Sequence, residues 1–195
     1  MEKILYVFPI NLLLIYGNSD FIILMEDFVK FYSKNTAITG MFAAISIIFA
    51  YIEVLIPFNI GIPGFKLGIA NIGIILALHY LSWKEAIIVS FIRIIIIFLF
   101  FGNIFTLFLS FSGGIFSLAM MIILSKIKNI NIITMSMAGG VMHNIGQLTA
   151  ALLIIKRSSV LYYMPVMIFT GCATGFLIGI VTLSIINTLK KRRKI

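Results

Sequence analysis

What most constrains this chain is a succession of apolar runs separated by short breaks that hold nearly all of its charge. Crossing the hydrocarbon core of a bilayer takes about 17 to 25 apolar residues in a helix, and shorter runs cross where protein shields them. On that measure the sequence predicts spans over residues 36–56, 67–81, 86–101, 104–124, 132–155 and 162–189. Pro57 closes the first, Gly102 and Asn103 separate the third from the fourth, and Lys126 and Lys128 end the fourth. Apolar residues make up 62% of the chain and charged residues 11%, against about 25% charged in a soluble domain. So much apolar surface needs lipid as its solvent. The expected fold class is therefore an all-α integral membrane protein, a six-transmembrane-helix bundle of residues 36–189 followed by a basic tail, 190–195.

The loops orient it. Lys30, Lys34, Lys84, Lys126, Lys128 and the cluster Lys190, Lys191, Arg192, Arg193 and Lys194 fall on one side of the predicted spans, and Lys66, Lys156 and Arg157 on the other. Lys and Arg collect on the cytoplasmic face, so both ends of the core are expected in the cytoplasm and the protein in the inner cell membrane. Net charge is +9, but no stripe of basic residues follows a groove, which argues against nucleic acid as a partner and for the lipid bilayer. The single cysteine, Cys172, builds neither a disulfide framework nor a cysteine metal site within one chain, and reads as a small packing residue.

Residues 1–35 stay open. The apolar stretch 4–15 holds Pro9 and Asn11, and Gly17, Asn18, Ser19 and Asp20 follow it. An additional N-terminal hydrophobic helix, an interfacial helix, and an upstream extension of the frame with Met25 as the start all fit. No small-x-small cleavage site follows the stretch, so a cleaved signal peptide is not expected.

Small residues mark helix contacts. Gly171, Gly175 and Gly179 recur every fourth residue on the sixth span, Gly40 and Ala44 on the first with Ala37 and Ala43 beside them, and Ser110, Gly113, Gly114 and Ser117 on the fourth. Packing within the bundle is one reading, and docking of another membrane subunit the other.

Polar side chains inside the spans are costly unless paired or facing a cavity. Glu53 lies on the first span, Asn71 opens the second, Arg93 sits inside the third, and His143, Asn144 and Gln147 share the fifth, with Gly140 a turn away. At about 1.5 Å per residue, Arg93 lies roughly 10 to 14 Å from the cytoplasmic end, His143 roughly 17 Å, and Glu53 and Gln147 roughly 23 to 25 Å. They can converge on one pocket in the middle and outer half of the bundle. The alternative is structural: Arg93 and Glu53 neutralise each other, or Arg93 caps carbonyls. Neither histidine has a second one turn away, so no metal site is expected, and His79 reads as interfacial.

Several segments together resemble a known family: 51–57 (Tyr-Ile-Glu-Val-Leu-Ile-Pro), 63–72 (Pro-Gly-Phe-Lys-Leu-Gly-Ile-Ala-Asn-Ile), Arg93 with 101–103, Ser112-Gly113-Gly114, and 141–148 (Val-Met-His-Asn-Ile-Gly-Gln-Leu). They resemble the Gx transporter family, also labelled heptaprenyl diphosphate synthase component I, across residues 36–189. That family is similar to the substrate-binding S-components of energy-coupling factor (ECF) transporters. The resemblance implies a membrane subunit that captures a small-molecule substrate, with quinone or isoprenoid precursors the usual suggestion. It implies a lid over 59–66, and a face with Ala37, Gly40 and Ala44 that docks a membrane coupling subunit joined to ATPase subunits. Glu53, Asn71, Arg93, His143, Asn144 and Gln147 would then bind substrate with Lys66 at the mouth, Arg93 attracting an anionic group or anchoring Glu53. Phe65, Tyr162 and Tyr163 would cover its apolar part.

The enzyme label fails a chemical test. Prenyl diphosphate synthases hold Mg²⁺-bound diphosphate on aspartate-rich motifs, since a hard cation wants several carboxylate oxygens. Asp20 and Asp27 are the only aspartates here, outside the resembling region and in no such motif. The chain is expected to be no enzyme, without a cofactor. It has no Gly-Lys dipeptide, so no ATP-binding P-loop, and energy for transport must come from partners. The rival expectation is a non-catalytic membrane scaffold associated with heptaprenyl diphosphate or quinone synthesis. An intramembrane enzyme has no recognisable nucleophile and base to support it.

Overall fold

The computed structural model describes residues 18–55 and 68–192, with side-chain surroundings given for 34–55 and 68–191. The described residues are helical: α1 (Asn18–Leu55), α2 (Asn71–Tyr80), α3 (Trp83–Phe101), α4 (Ile104–Ser125), α5 (Ile132–Ile155), a 3-10 turn (Ser158–Tyr163) and α6 (Met164–Arg192). Lys34–Leu55, Ile104–Ser125, Ile132–Ile155 and Ser158–Lys191 are long and apolar enough to cross a membrane. Two helices fall short of that. Ten residues of α2 span about 15 Å, half of a roughly 30 Å hydrocarbon core. The other, α3, carries Lys84, Glu85 and Arg93 in its 19 residues.

The chain divides into two units, residues 1–38 and 39–195. The first holds the N-terminal part of α1, which starts at Asn18, well before the span expected from 36. No proline or glycine interrupts 18–39, and Glu26 stands four residues before Lys30, a pairing that favours helix. Residues 1–17, with the apolar stretch 4–15, lie outside the described residues.

In the second unit, α2 is the innermost element: Asn71 to Ala77 are all buried. A helix apolar on every side must be covered on every side. Helices α3, α4 and α6 pack against it. From α1, Ser46 Oγ donates to the Ala70 carbonyl at 3.0 Å, and a Cβ added at Gly73 would stand 2.6 Å from the Phe42 carbonyl, so these two backbones nearly touch.

Along the other seam α4, α5 and α6 pack in series. Glycines set that spacing. A Cβ added at Gly175 would sit 2.7 Å from Met137 Cα, one at Gly179 2.7 Å from Ile133 Cα, and one at Gly171 2.8 Å from the Gly140 carbonyl. Of the two readings of the sixth-span stripe, the structure shows packing within the chain. Large apolar side chains face outward instead, among them Phe91, Leu99, Phe100, Ile104, Phe108, Phe169, Phe176 and Leu177. Such a surface suits lipid.

Helix starts follow local capping. Asn103 Oδ1 accepts from Thr106 N–H at 2.8 Å while Thr106 Oγ1 accepts from Asn103 N–H at 3.0 Å, a reciprocal box closing the two-residue link from α3 to α4. Ser82 caps α3 and bonds Glu85, which starts that helix at Trp83 rather than at 86. Helix α6 itself starts at Met164, two residues into the expected sixth span, because Ser158–Tyr163 winds as a 3-10 turn first. Pro165 then falls in the first turn of α6, where its missing N–H costs nothing.

Candidate functional site

Ala70 and Asn71, where α2 begins, are buried, so the first N–H groups of that helix must be satisfied by protein. Gly68 turns the chain with φ +77°, a conformation that favours glycine, and its carbonyl accepts from Asn71 N–H at 2.9 Å. No side chain at the N-cap position, Ala70, contributes. Glu53 of α1 does so from outside: its Oε1 accepts from Ile69 N–H at 2.7 Å. A carboxylate there also answers the positive end of the helix dipole.

Arg93 reaches the same turn from α3. It is buried, and its Nη1 donates to Asn71 Oδ1 at 3.0 Å. Glu53 attracts it electrostatically. The two charges that the sequence left as either a pair or a pocket thus meet around α2's entry, each also holding a polar group of that turn.

A second polar group lies on α5. His143, Asn144 and Gln147 are all buried. Asn144 Nδ2 donates to the Met167 carbonyl at 2.7 Å and lies 3.4 Å from Thr170 Oγ1, tying α5 to the first turns of α6. Gly113 of α4 makes room for its two neighbours: a Cβ there would lie 3.0 Å from His143 Cε1 and 2.9 Å from Gln147 Cγ. Gln147 is only 1% exposed, and neither its amide oxygen nor its nitrogen has a hydrogen-bond partner. Ser117 Oγ, also buried, has none either.

Between the two groups is a cavity of about 10 Å³ lined by Asn71, Ser136, His143, Asn144 and Thr174, with Gly68, Gly139, Gly140, Ile75, Met121 and Ile178. That is room for about one water molecule. Of the expected binding residues, Asn71, His143 and Asn144 line it, Arg93 is bonded to Asn71, Glu53 holds the adjoining Ile69, and Gln147 is one helical turn from His143. Lys66, Phe65 and the lid 59–66 lie outside the described residues. Tyr162 and Tyr163 are exposed on the 3-10 turn and are not among the residues that line the cavity. Ala37, Gly40 and Ala44 are each exposed, and a Cβ at Gly40 would meet nothing within 4 Å. Among the described residues no three His, Cys, Asp or Glu side chains are grouped to hold a metal.

Ser136 and Thr174 were missed by sequence reasoning. Each is a small polar residue amid glycines, with Ser136 three and four residues before Gly139 and Gly140, and Thr174 between Gly171 and Gly175. That adjacency of hydroxyl and close-packing glycine was the available signal.

Helices that turn large apolar side chains outward and gather buried polar ones inside define an α-helical membrane protein with a polar interior. More particularly, the chain belongs to the heptaprenyl diphosphate synthase component I family, whose model matches residues 42–185. No curated protein and no solved structure is a match to it.

Proposed function

We propose that the chain is the substrate-capturing membrane subunit of a transporter for a small precursor, an ECF S-component-like six-span bundle that partners energise. The observation that carries this reading is the buried polar cavity. Asn71, His143 and Asn144 line it and Arg93, Glu53 and Gln147 stand next to it, more polar groups than packing alone requires at such depth. Between bundle helices, a few convergent polar groups are what orients a small molecule in its site, and a cavity with room for about one water would have to widen to admit one. We read the chain as non-catalytic, since its two aspartates, Asp20 and Asp27, form no diphosphate-binding motif.

In this reading α2 and α3 cross with the other four, the α2–α3 link and the tail face the cytoplasm, and the membrane is the inner cell membrane. With Cys172 replaced by alanine, Lys128→Cys should react with an impermeant maleimide only after the membrane is opened. Ser158→Cys should react in intact cells, and the reverse pattern would refute this topology.

Partners supply the energy. Affinity-purified protein should bring a membrane coupling subunit and an ATPase. Gly40→Leu should leave the fold intact, since nothing occupies the space around Gly40, yet lose those partners if the α1 face docks them. The second reading, a scaffold for prenyl diphosphate synthesis, is favoured by the family's own description. Recovery of a soluble synthase in place of an ATPase would establish it.

A further inference from the structure

We propose that the site takes an uncharged head group, one that offers Gln147 a donor and an acceptor side by side, and rejects phosphorylated forms of the same molecule. This rests on the reading of the chain as a substrate-capturing subunit and names the class of molecule captured.

Charge balance is the first support. Among the described residues, Arg93 and Glu53 are the charged side chains at the cavity's edge, one positive and one negative, and they attract each other. Each is also engaged without a ligand, Arg93 with the Asn71 amide oxygen and Glu53 with Ile69 N–H. The positive end of α2 is answered by the same Glu53 carboxylate. A diphosphate brought to this depth would find no uncommitted cation among the described residues. Burying an unpaired charge is far more costly than burying a neutral polar group that is hydrogen-bonded.

Gln147 supplies the second. Buried polar groups in folded proteins are nearly always hydrogen-bonded, and leaving one unpaired is destabilising. Gln147 leaves both its amide oxygen and its amide nitrogen unpaired at 1% exposure, one helical turn from the cavity-lining His143 and packed with it on Gly113. An apolar side chain of the same size would fill that space at no such cost. The amide presents an acceptor and a donor together, and a single hydroxyl complements both, donating to Oε1 and accepting from Nε2. Ser117 Oγ, one turn from Gly113 on α4, is a further buried hydroxyl without a partner. The cavity holds only about one water molecule, so a head group enters by displacing the walls.

A matched pair of probes tests this on the full chain in lipid nanodiscs: geraniol and geranyl diphosphate, chosen because the family description concerns prenyl compounds. Geraniol should raise the midpoint of thermal unfolding, and the diphosphate should not. Gln147→Met should raise the midpoint of the probe-free protein by roughly 3 °C and weaken the geraniol response about tenfold. A larger shift with the diphosphate, or no shift with the alcohol, overturns the head-group assignment. So does a Gln147→Met protein less stable than the parent, because the amide would then be holding the fold. The subunit reading fails separately, by absence of a co-purifying ATPase.

Discussion

Valine at Gly175 is expected to leave little folded protein. The added Cβ would lie 2.7 Å from both Met137 Cα and the Ser136 carbonyl, backbone atoms of α5 that cannot rotate away. Helices α5 and α6 would have to part along a seam where Gly171 and Gly179 are equally close to backbone. Overpacking typically costs about 1 to 3 kcal/mol, here at the upper end because the clash is with backbone and valine adds two methyl groups to the Cβ, and that is a large part of a domain's margin. The loss reads out as disappearance of the monodisperse peak in detergent size-exclusion chromatography. Gly40→Ala is the matching control: with open space around it, it should be neutral or slightly stabilising. Equal damage at both positions would contradict the packing described for α6.

Removing the buried guanidinium is the second large effect. Arg93→Met takes the donor from Asn71 Oδ1 and the nearby cation from Glu53, and should destabilise by about 3 kcal/mol, because breaking a buried charged network leaves its remaining members uncompensated. Adding Glu53→Gln should restore part of that loss. The double variant has no lone charge, and an amide at 53 still accepts from Ile69 N–H. A double-mutant cycle on thermal unfolding checks it, with coupling of at least about 1 kcal/mol expected and simple additivity contradicting the link.

Much of the helical layout was legible in the sequence because apolar runs ending at charge, proline or Gly-Asn map directly onto helix ends. Residues 132–155 agree with α5 at both ends, and 104–124 falls one residue short of α4. The start of α3 was missed although Ser82-x-x-Glu85 spells a capping box, since the charges of Lys84 and Glu85 drew the boundary inward. Leu67 and Ile69 are as apolar as the helix they precede, so the turn at Gly68 was hidden in an unbroken hydrophobic run. The long α1 was hidden for the opposite reason: Asp20, Glu26, Asp27, Lys30 and Lys34 break the hydropathy signal without breaking the helix.

For the site, the polar residues stood out by their depth, but their partners did not. Asn144 bonds a carbonyl on α6, Glu53 a backbone N–H ahead of α2, and both depend on how helices distant in sequence are brought side by side. No spacing along one helix encodes that. Tyr162 and Tyr163 were expected as aromatic cover for the ligand's apolar part, and their exposure on a 3-10 turn was concealed by the apolar run they begin.

The bond between Asn71 and Arg93 also bears on how the chain is built into the bilayer. It joins the two helices least able to partition into lipid alone, one too short and the other carrying a cation. As a hairpin they share that burden, Arg93 meeting the amide oxygen that α2 brings in. The carboxylate of Glu53 belongs to a helix made earlier, so a counter-charge is already lodged when the arginine arrives. On the proposed six-span reading, insertion of this half of the protein would be cooperative, and a shortened chain ending just after α2 should fail to hold so brief a segment in the membrane.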